Sequence, residues 1–116
     1  MNLQQAVQTC FRKYTDFSGR ASRPEYWWFI LGYVVVAFVA GFIHEFVYYL
    51  VVLAFLLPLL AAGARRLHDV GRSAWFLLLG LIPVIGTLVL LYFMVQPGQP
   101  ESNAYGPPVA PVPASV

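Results

Sequence analysis

Three long stretches of this chain, Tyr26 to Ile43, Phe46 to Ala64 and Trp75 to Val95, contain no formally charged residue. The basic residues all lie outside them: Arg12, Lys13, Arg20 and Arg23 precede the first stretch, and Arg65, Arg66 and Arg72 separate the second from the third. A soluble globule of 116 residues leaves much of its surface facing water. With 59% apolar and only 10% charged residues, against roughly 25% charged in an ordinary domain, this chain has too little polar surface for that. Lipid is the expected solvent for much of it.

The lengths agree. At ~1.5 Å per residue the three stretches measure about 27, 28 and 31 Å as helices, close to the ~30 Å hydrocarbon core. Residues 26–64 as one helix would reach about 58 Å, so the chain must reverse near His44 and Glu45. Backbone groups in hydrocarbon have to be paired within the segment, which demands helices where the alternation of barrel strands is absent. The expected fold class is an all-α membrane protein with three transmembrane helices, at about 23–43, 45–64 and 74–95. These sit in a single membrane domain over residues 1–95, with an N-terminal amphipathic interfacial helix and an extended, disordered Pro-rich tail over 96–116.

Orientation follows from the Lys and Arg residues flanking each stretch. The N-terminal segment carries four, the His44–Glu45 turn none, the 65–72 loop three, and the tail none. The N-terminus and the second loop are therefore expected in the cytoplasm, and a third crossing places the C-terminus in the periplasm. No cleavable signal peptide is visible, so the first span is expected to serve as an uncleaved insertion signal. In the third stretch, Gly80, Pro83 and Gly86 offer a choice between a kinked spanning helix and a re-entrant hairpin. The spanning helix is preferred, because a hairpin tip would leave backbone exposed to lipid.

Local signals refine the elements. Leu3, Val7, Cys10, Phe11 and Tyr14 recur at helical spacing opposite Gln4, Gln8 and Arg12. That pattern suits a helix lying on the cytoplasmic leaflet with Phe11 and Tyr14 dipping toward the acyl boundary, and equally one packed on the protein itself. Ser22-Arg23-Pro24-Glu25 reads as a capping box with proline in the first turn. Trp27, Trp28 and Trp75 are interface anchors. Gly41 is a candidate left-handed terminator, and Pro58 removes a donor from the second span. That span is expected to run on through Arg65-Arg66-Leu67-His68-Asp69 to Gly71, with Ser73 capping the third span. Cys10 is the single cysteine and reads as a buried apolar residue.

Three blocks carry a resemblance. Phe17-Ser18-Gly19-Arg20-Ala21-Ser22-Arg23-Pro24-Glu25-Tyr26-Trp27-Trp28, then Arg65 to Ser73, then Asn103-Ala104-Tyr105-Gly106-Pro107 together resemble the signatures of the bacterial YhaH-like inner-membrane family, a domain of unknown function. Val70 stands where that family commonly has Thr, and Ser102 where a Gly usually precedes the Asn. The resemblance implies a small multi-pass inner-membrane protein and brings no activity, substrate or cofactor with it.

For function, the informative residues form a candidate cytoplasmic-face cluster: Gly19, Arg20, Arg23, Glu25, Arg65, Arg66, His68, Asp69, Arg72 and Ser73. Pairing of Arg20 and Arg23 with Asp69, and of Glu25 with Arg66 or Arg72, would tie the first helix to the end of the second. Asp69 lies three residues from Arg66 and four from Arg65, so both can reach it along the helix. The expected role is structural or accessory, with the bilayer, anionic headgroups, a membrane-protein partner or a second copy as partners, and no nucleic acid. A transporter acting as a homo-oligomer is one alternative, although the charge-free spans offer no ionisable path. An interfacial enzyme built on His68, Asp69 and the arginines is the other, although a nucleophile and metal ligands are missing. No catalytic, cofactor or metal residue is assigned.

Overall fold

A computed structural model describes residues 2–109, and within them the regular elements are all helical. Helix α1 spans Leu3–Arg12, α2 Arg23–Ile43, α3 Glu45–Asp69 and α4 Ile85–Val95, with a 3-10 helical segment over Ala74–Leu81 between the last two. Both α2 and α3 are long and apolar enough to cross a membrane.

Caps written into the sequence set these boundaries. The Asn2 side chain accepts from the Gln5 amide at 2.9 Å while Gln5 accepts from the Asn2 amide at 3.0 Å, which satisfies two free donors at the start of α1. Ser22 accepts from the Glu25 amide at 3.3 Å to open α2. The expected return bond from Glu25 is replaced by an ion pair to Arg65, so only half of that capping box forms. Gly41 stays inside α2, and the reversal falls at His44, whose Nδ1 accepts from the Phe46 amide at 2.9 Å. Gly71, with φ at 80°, ends α3 in the left-handed conformation that favours glycine. Its amide donates to the His68 carbonyl at 3.0 Å and the Arg72 amide to the Leu67 carbonyl at 2.8 Å, closing the terminator.

Helices α2 and α3 run antiparallel from the His44 turn, with Phe29 stacked on Phe55 (5.6 Å) and Glu25 beside Arg65. Helix α1 packs on both. Ala6 and Cys10 are fully buried, Phe11 meets Phe29 and Phe55 edge-on at 5.7 and 5.0 Å, and Gly32 leaves room for Leu3 and Val7. The apolar stripe of α1 is thus partly covered by protein, with Leu3, Phe11 and Tyr14 left exposed at their edges. Ala61, Ala62, Gly63 and Ala64 are all buried, the small-residue contact expected between closely approaching helices.

Residues 74–95 do not form the expected third spanning helix. The 3-10 segment and α4 fold back on each other, with Phe76 against Phe93 (5.6 Å) and Gly86 pressed on the Leu79 carbonyl. Each arm is about 16 Å long by its rise per residue, roughly half of a ~30 Å core. The expectation failed on the tip, whose backbone is largely paired with itself. The Ile82 amide donates to the Leu79 carbonyl at 3.0 Å, that of Ile85 to Pro83 at 2.7 Å and that of Leu88 to Val84 at 2.9 Å. Pro83 has no amide donor to lose.

The tail also departs from its expected disorder. Residues 96–109 lie against the start of α2 and the end of α3, held by hydrogen bonds from residues far away in sequence. The remainder of the expected unordered tail, 110–116, lies outside the described residues. Because Met94, Gln96 and Gln99 meet Arg20 and Arg66, the tail starts at the same end of the molecule as α1's C-terminus and the 65–72 loop. The tail and the N-terminal segment therefore lie side by side.

Candidate functional site

The three signature blocks, far apart in sequence, converge at one end of the molecule around buried ionic groups. Arg20, Glu25, Arg65, Arg66, His68 and Asp69 are all buried. At its centre Asp69 is held from two sides, accepting from Arg20 Nε at 2.9 Å on one oxygen and from Arg66 Nη1 at 2.8 Å on the other. A second pair, Arg65 with Glu25, lies beside it.

Arg20 leaves nothing for a ligand. Its Nε donates to Asp69, its Nη1 to the Glu101 (3.0 Å) and Gly106 (3.1 Å) carbonyls, and its Nη2 to the Asp69 (3.3 Å) and Gln99 (2.6 Å) carbonyls. Every N–H of the guanidinium is thereby used. Arg66 donates to the Met94 (3.0 Å), Ala21 (3.3 Å) and Gln96 carbonyls in addition to Asp69. The last carbonyls of α4 are therefore capped by a cation from another helix, favourable at the negative end of the helix dipole. Arg65 is the exception, since its Nε and Nη2 have no hydrogen-bond partner among the described residues.

His68 Nδ1 donates to the Gly19 carbonyl at 2.9 Å, and its ring lies flat on Tyr105, with centroids 3.8 Å apart and planes 1° from parallel. Asn103 secures the same turn, its Nδ2 donating to the His68 carbonyl (3.0 Å) and its Oδ1 accepting from the Tyr105 amide (2.8 Å). Gly98 passes so close to Asp69 that a Cβ there would overlap the carboxylate.

The sequence reading placed the right residues together and mispaired several. Arg20 with Asp69, and Arg66 with Asp69 three residues on, form as expected. Glu25 takes Arg65 rather than Arg66 or Arg72. Arg23 is exposed and donates to the Val95 carbonyl at 3.3 Å instead of reaching Asp69. Arg72 is exposed too, lying over the rings of Phe93 at 5.0 Å and Phe76 at 5.9 Å. These are cation–π contacts. Ser73 accepts from the Trp75 amide at 3.2 Å and caps the 3-10 segment. Of the tryptophans, Trp27 donates to the Met94 carbonyl at 3.1 Å, while Trp28 and Trp75 remain exposed. The carbonyls of Met94, Gln96, Gln99, Glu101 and Gly106 were missed, because main-chain acceptors leave no residue-type signal. Asn103 and Tyr105 stood in the third block and could have been joined to the other two through it.

Around the cluster, the Cys10 thiol is pushed up to about 11, mainly by burial and secondarily by Glu25. The Asp16 carboxyl is held below its usual value by the Ser18 amide and hydroxyl, which donate to it at 3.0 and 2.8 Å. Among the described residues, no three His, Cys, Asp or Glu side chains gather as a metal site.

Known proteins resemble the chain over most of its length. It is 40% identical over 110 residues to the inner membrane protein YhaH of Escherichia coli K12, covering 83% of this chain and 88% of that one. It is 43% identical over 102 residues to the inner membrane protein YhaI of the same organism, covering 82% and 86%. No solved structure matches. The profile of the family described as "Protein of unknown function (DUF805)" matches residues 14–107, which takes in all three blocks of the cluster, and the chain belongs to that family.

Proposed function

We propose that the protein is a non-catalytic structural component of the bacterial inner membrane, crossing it with α2 and α3 and dipping residues 74–95 into it from the cytoplasmic side. Both termini then face the cytoplasm, in place of a periplasmic tail. The supporting charge count places all Lys and Arg at the cluster end with Asp16, Glu25, Asp69 and Glu101, a net +3, against −1 from Glu45 at the other end. That distribution obeys the positive-inside bias.

The observation that carries the non-catalytic reading is the complete use of Arg20 by protein acceptors. A phosphoryl-transfer or general-base site needs donors aimed at an empty position where substrate charge develops. Here Arg20 and Arg66 bind the end of α4 and the tail, and Arg65 is paired with Glu25. The His68 ring is held in place, stacked under Tyr105 and bonded through Nδ1 to the Gly19 carbonyl. Against transport stands the lack of any Asp, Glu, Lys, Arg or His in the apolar stretches.

The rim is left for a partner. Arg12, Arg23 and Arg72 are exposed and Lys13 is half-buried. Anionic phospholipid headgroups are the partner this rim fits, at ~1 kcal/mol per basic residue near the surface. The purified protein, reconstituted in liposomes, is expected to gain thermal stability as phosphatidylglycerol replaces phosphatidylcholine. Neutralising Arg12, Lys13, Arg23 and Arg72 to Gln should remove most of that gain. A wild-type protein indifferent to headgroup charge would rule the lipid role out, and a His68→Gln variant that abolished a measurable turnover would rule out the non-catalytic one.

A further inference from the structure

Residues 75–95 are 21 uncharged and mostly apolar positions, long enough to cross a bilayer, yet they turn back halfway. Some interaction must retain the following segment, and charge cannot be that interaction. Beyond Val95 the chain has no Lys or Arg, and Glu101 is its single charged side chain. A tail of this kind carries no positive-inside signal to hold it.

The hairpin itself is a poor retainer as well. Val84 at its tip sits at φ 65° and ψ -69°. A β-branched residue enters that region only under constraint. The arms reach only half the hydrocarbon, whereas one helix over the same residues would restore helical bonds on either side of Pro83.

Besides the bonds of Arg66 and Trp27 to the Met94 carbonyl and of Arg23 to that of Val95, the polar contacts that oppose this gain are made by the tail. Arg20 binds the carbonyls of Gln99, Glu101 and Gly106, and Arg66 binds that of Gln96. The Gln99 amide donates to the Asp69 carbonyl at 2.8 Å, Asn103 donates to that of His68, and Tyr105 covers the His68 ring. If the tail left, both buried guanidiniums would lose these acceptors.

We infer that the docked segment Gln96–Gly106 is a topological latch: its grip on Arg20, Arg66 and His68 holds residues 74–95 as a hairpin, and without it the same residues cross as a third span. The fold is then poised between two packings of one sequence, with the latch setting the balance. This rests on the cytoplasmic placement of the tail proposed above, and the test separates the two.

The full chain carrying Cys10→Ala and Ser115→Cys is expressed in cells, and outside labelling by a membrane-impermeant maleimide is measured. Ile43→Cys in the same background marks the opposite face. With the latch intact, position 115 should be shielded and position 43 labelled. Labelling of position 115 in that chain would overturn the two-crossing reading and the latch together. Adding Arg20→Ala should raise outside labelling of position 115 about tenfold, the shift produced by a loss of ~1.4 kcal/mol, and leave position 43 unchanged. Ser102→Lys with Ala104→Lys, both at exposed sites of the tail, should then restore shielding through charge alone, which a merely misfolded variant would not show. If Arg20→Ala is degraded, Asn103→Ala with Tyr105→Ala is read the same way. Shielding that persists in the stable variant would overturn the latch while leaving the two-crossing arrangement standing.

Discussion

Asp69 pairs with two guanidiniums at once and is itself only 5% exposed, so its removal leaves Arg20 and Arg66 both without a counter-charge. Breaking a buried pair by deleting one partner typically costs about 3–5 kcal/mol, because the surviving charge keeps its desolvation cost. Asp69→Ala is expected to lose stability on that scale, read as a lower thermal unfolding midpoint in detergent. Cys10 offers a quieter test. Its folded thiol is raised from 9.0 to about 11, so the unfolded chain ionises first as pH rises. This contribution to stability is intact below about pH 9 and declines between 9 and 11. At pH 8 the folded protein should react with iodoacetamide far more slowly than the same protein unfolded in SDS, and equal rates would contradict the burial.

Among the elements, the hairpin depends on the absence of a side chain at Gly86, where a Cβ would collide with the Leu79 carbonyl. Gly86→Ala has to spread the arms, at about 1–3 kcal/mol for an overpacked contact. A reduced unfolding midpoint is expected, and Val84→Gly, which frees the strained tip, should raise it. Most elements were legible in the sequence: α2 and α3 from length and hydropathy, the turn at His44 from the two charged or titratable residues between apolar runs, and the stop at Gly71. The hairpin was not, because hydropathy counts apolar residues and is blind to whether they face lipid or one another. Gly80, Pro83 and Gly86 did mark the break. Deciding between its two forms needed the partners of the flanking backbone, which are cations on other helices.

At the level of the whole molecule, every segment that leaves the apolar stretches, except the His44 turn, gathers at one pole. The residues of that pole were legible, since charge and the three blocks selected them. Their pairing was not. Spacing along an exposed helix makes Arg65 and Arg66 equal claimants on Asp69, but the last turns of α3 are buried on all sides, and the direction each side chain faces decides its partner. Arg66 turns toward α4 and the tail, and Arg65 toward α2. A proline-rich segment with little apolar content has little hydrophobic reason to settle into one shape. Wrapped around Arg20, the segment from Gln99 to Gly106 turns the carbonyls of Gln99, Glu101 and Gly106 inward as a calcium loop does to its ion, and a fixed organic cation supplied by the protein's own N-terminal segment takes the place of the metal. Order in that segment is in this sense borrowed from a residue some eighty positions upstream.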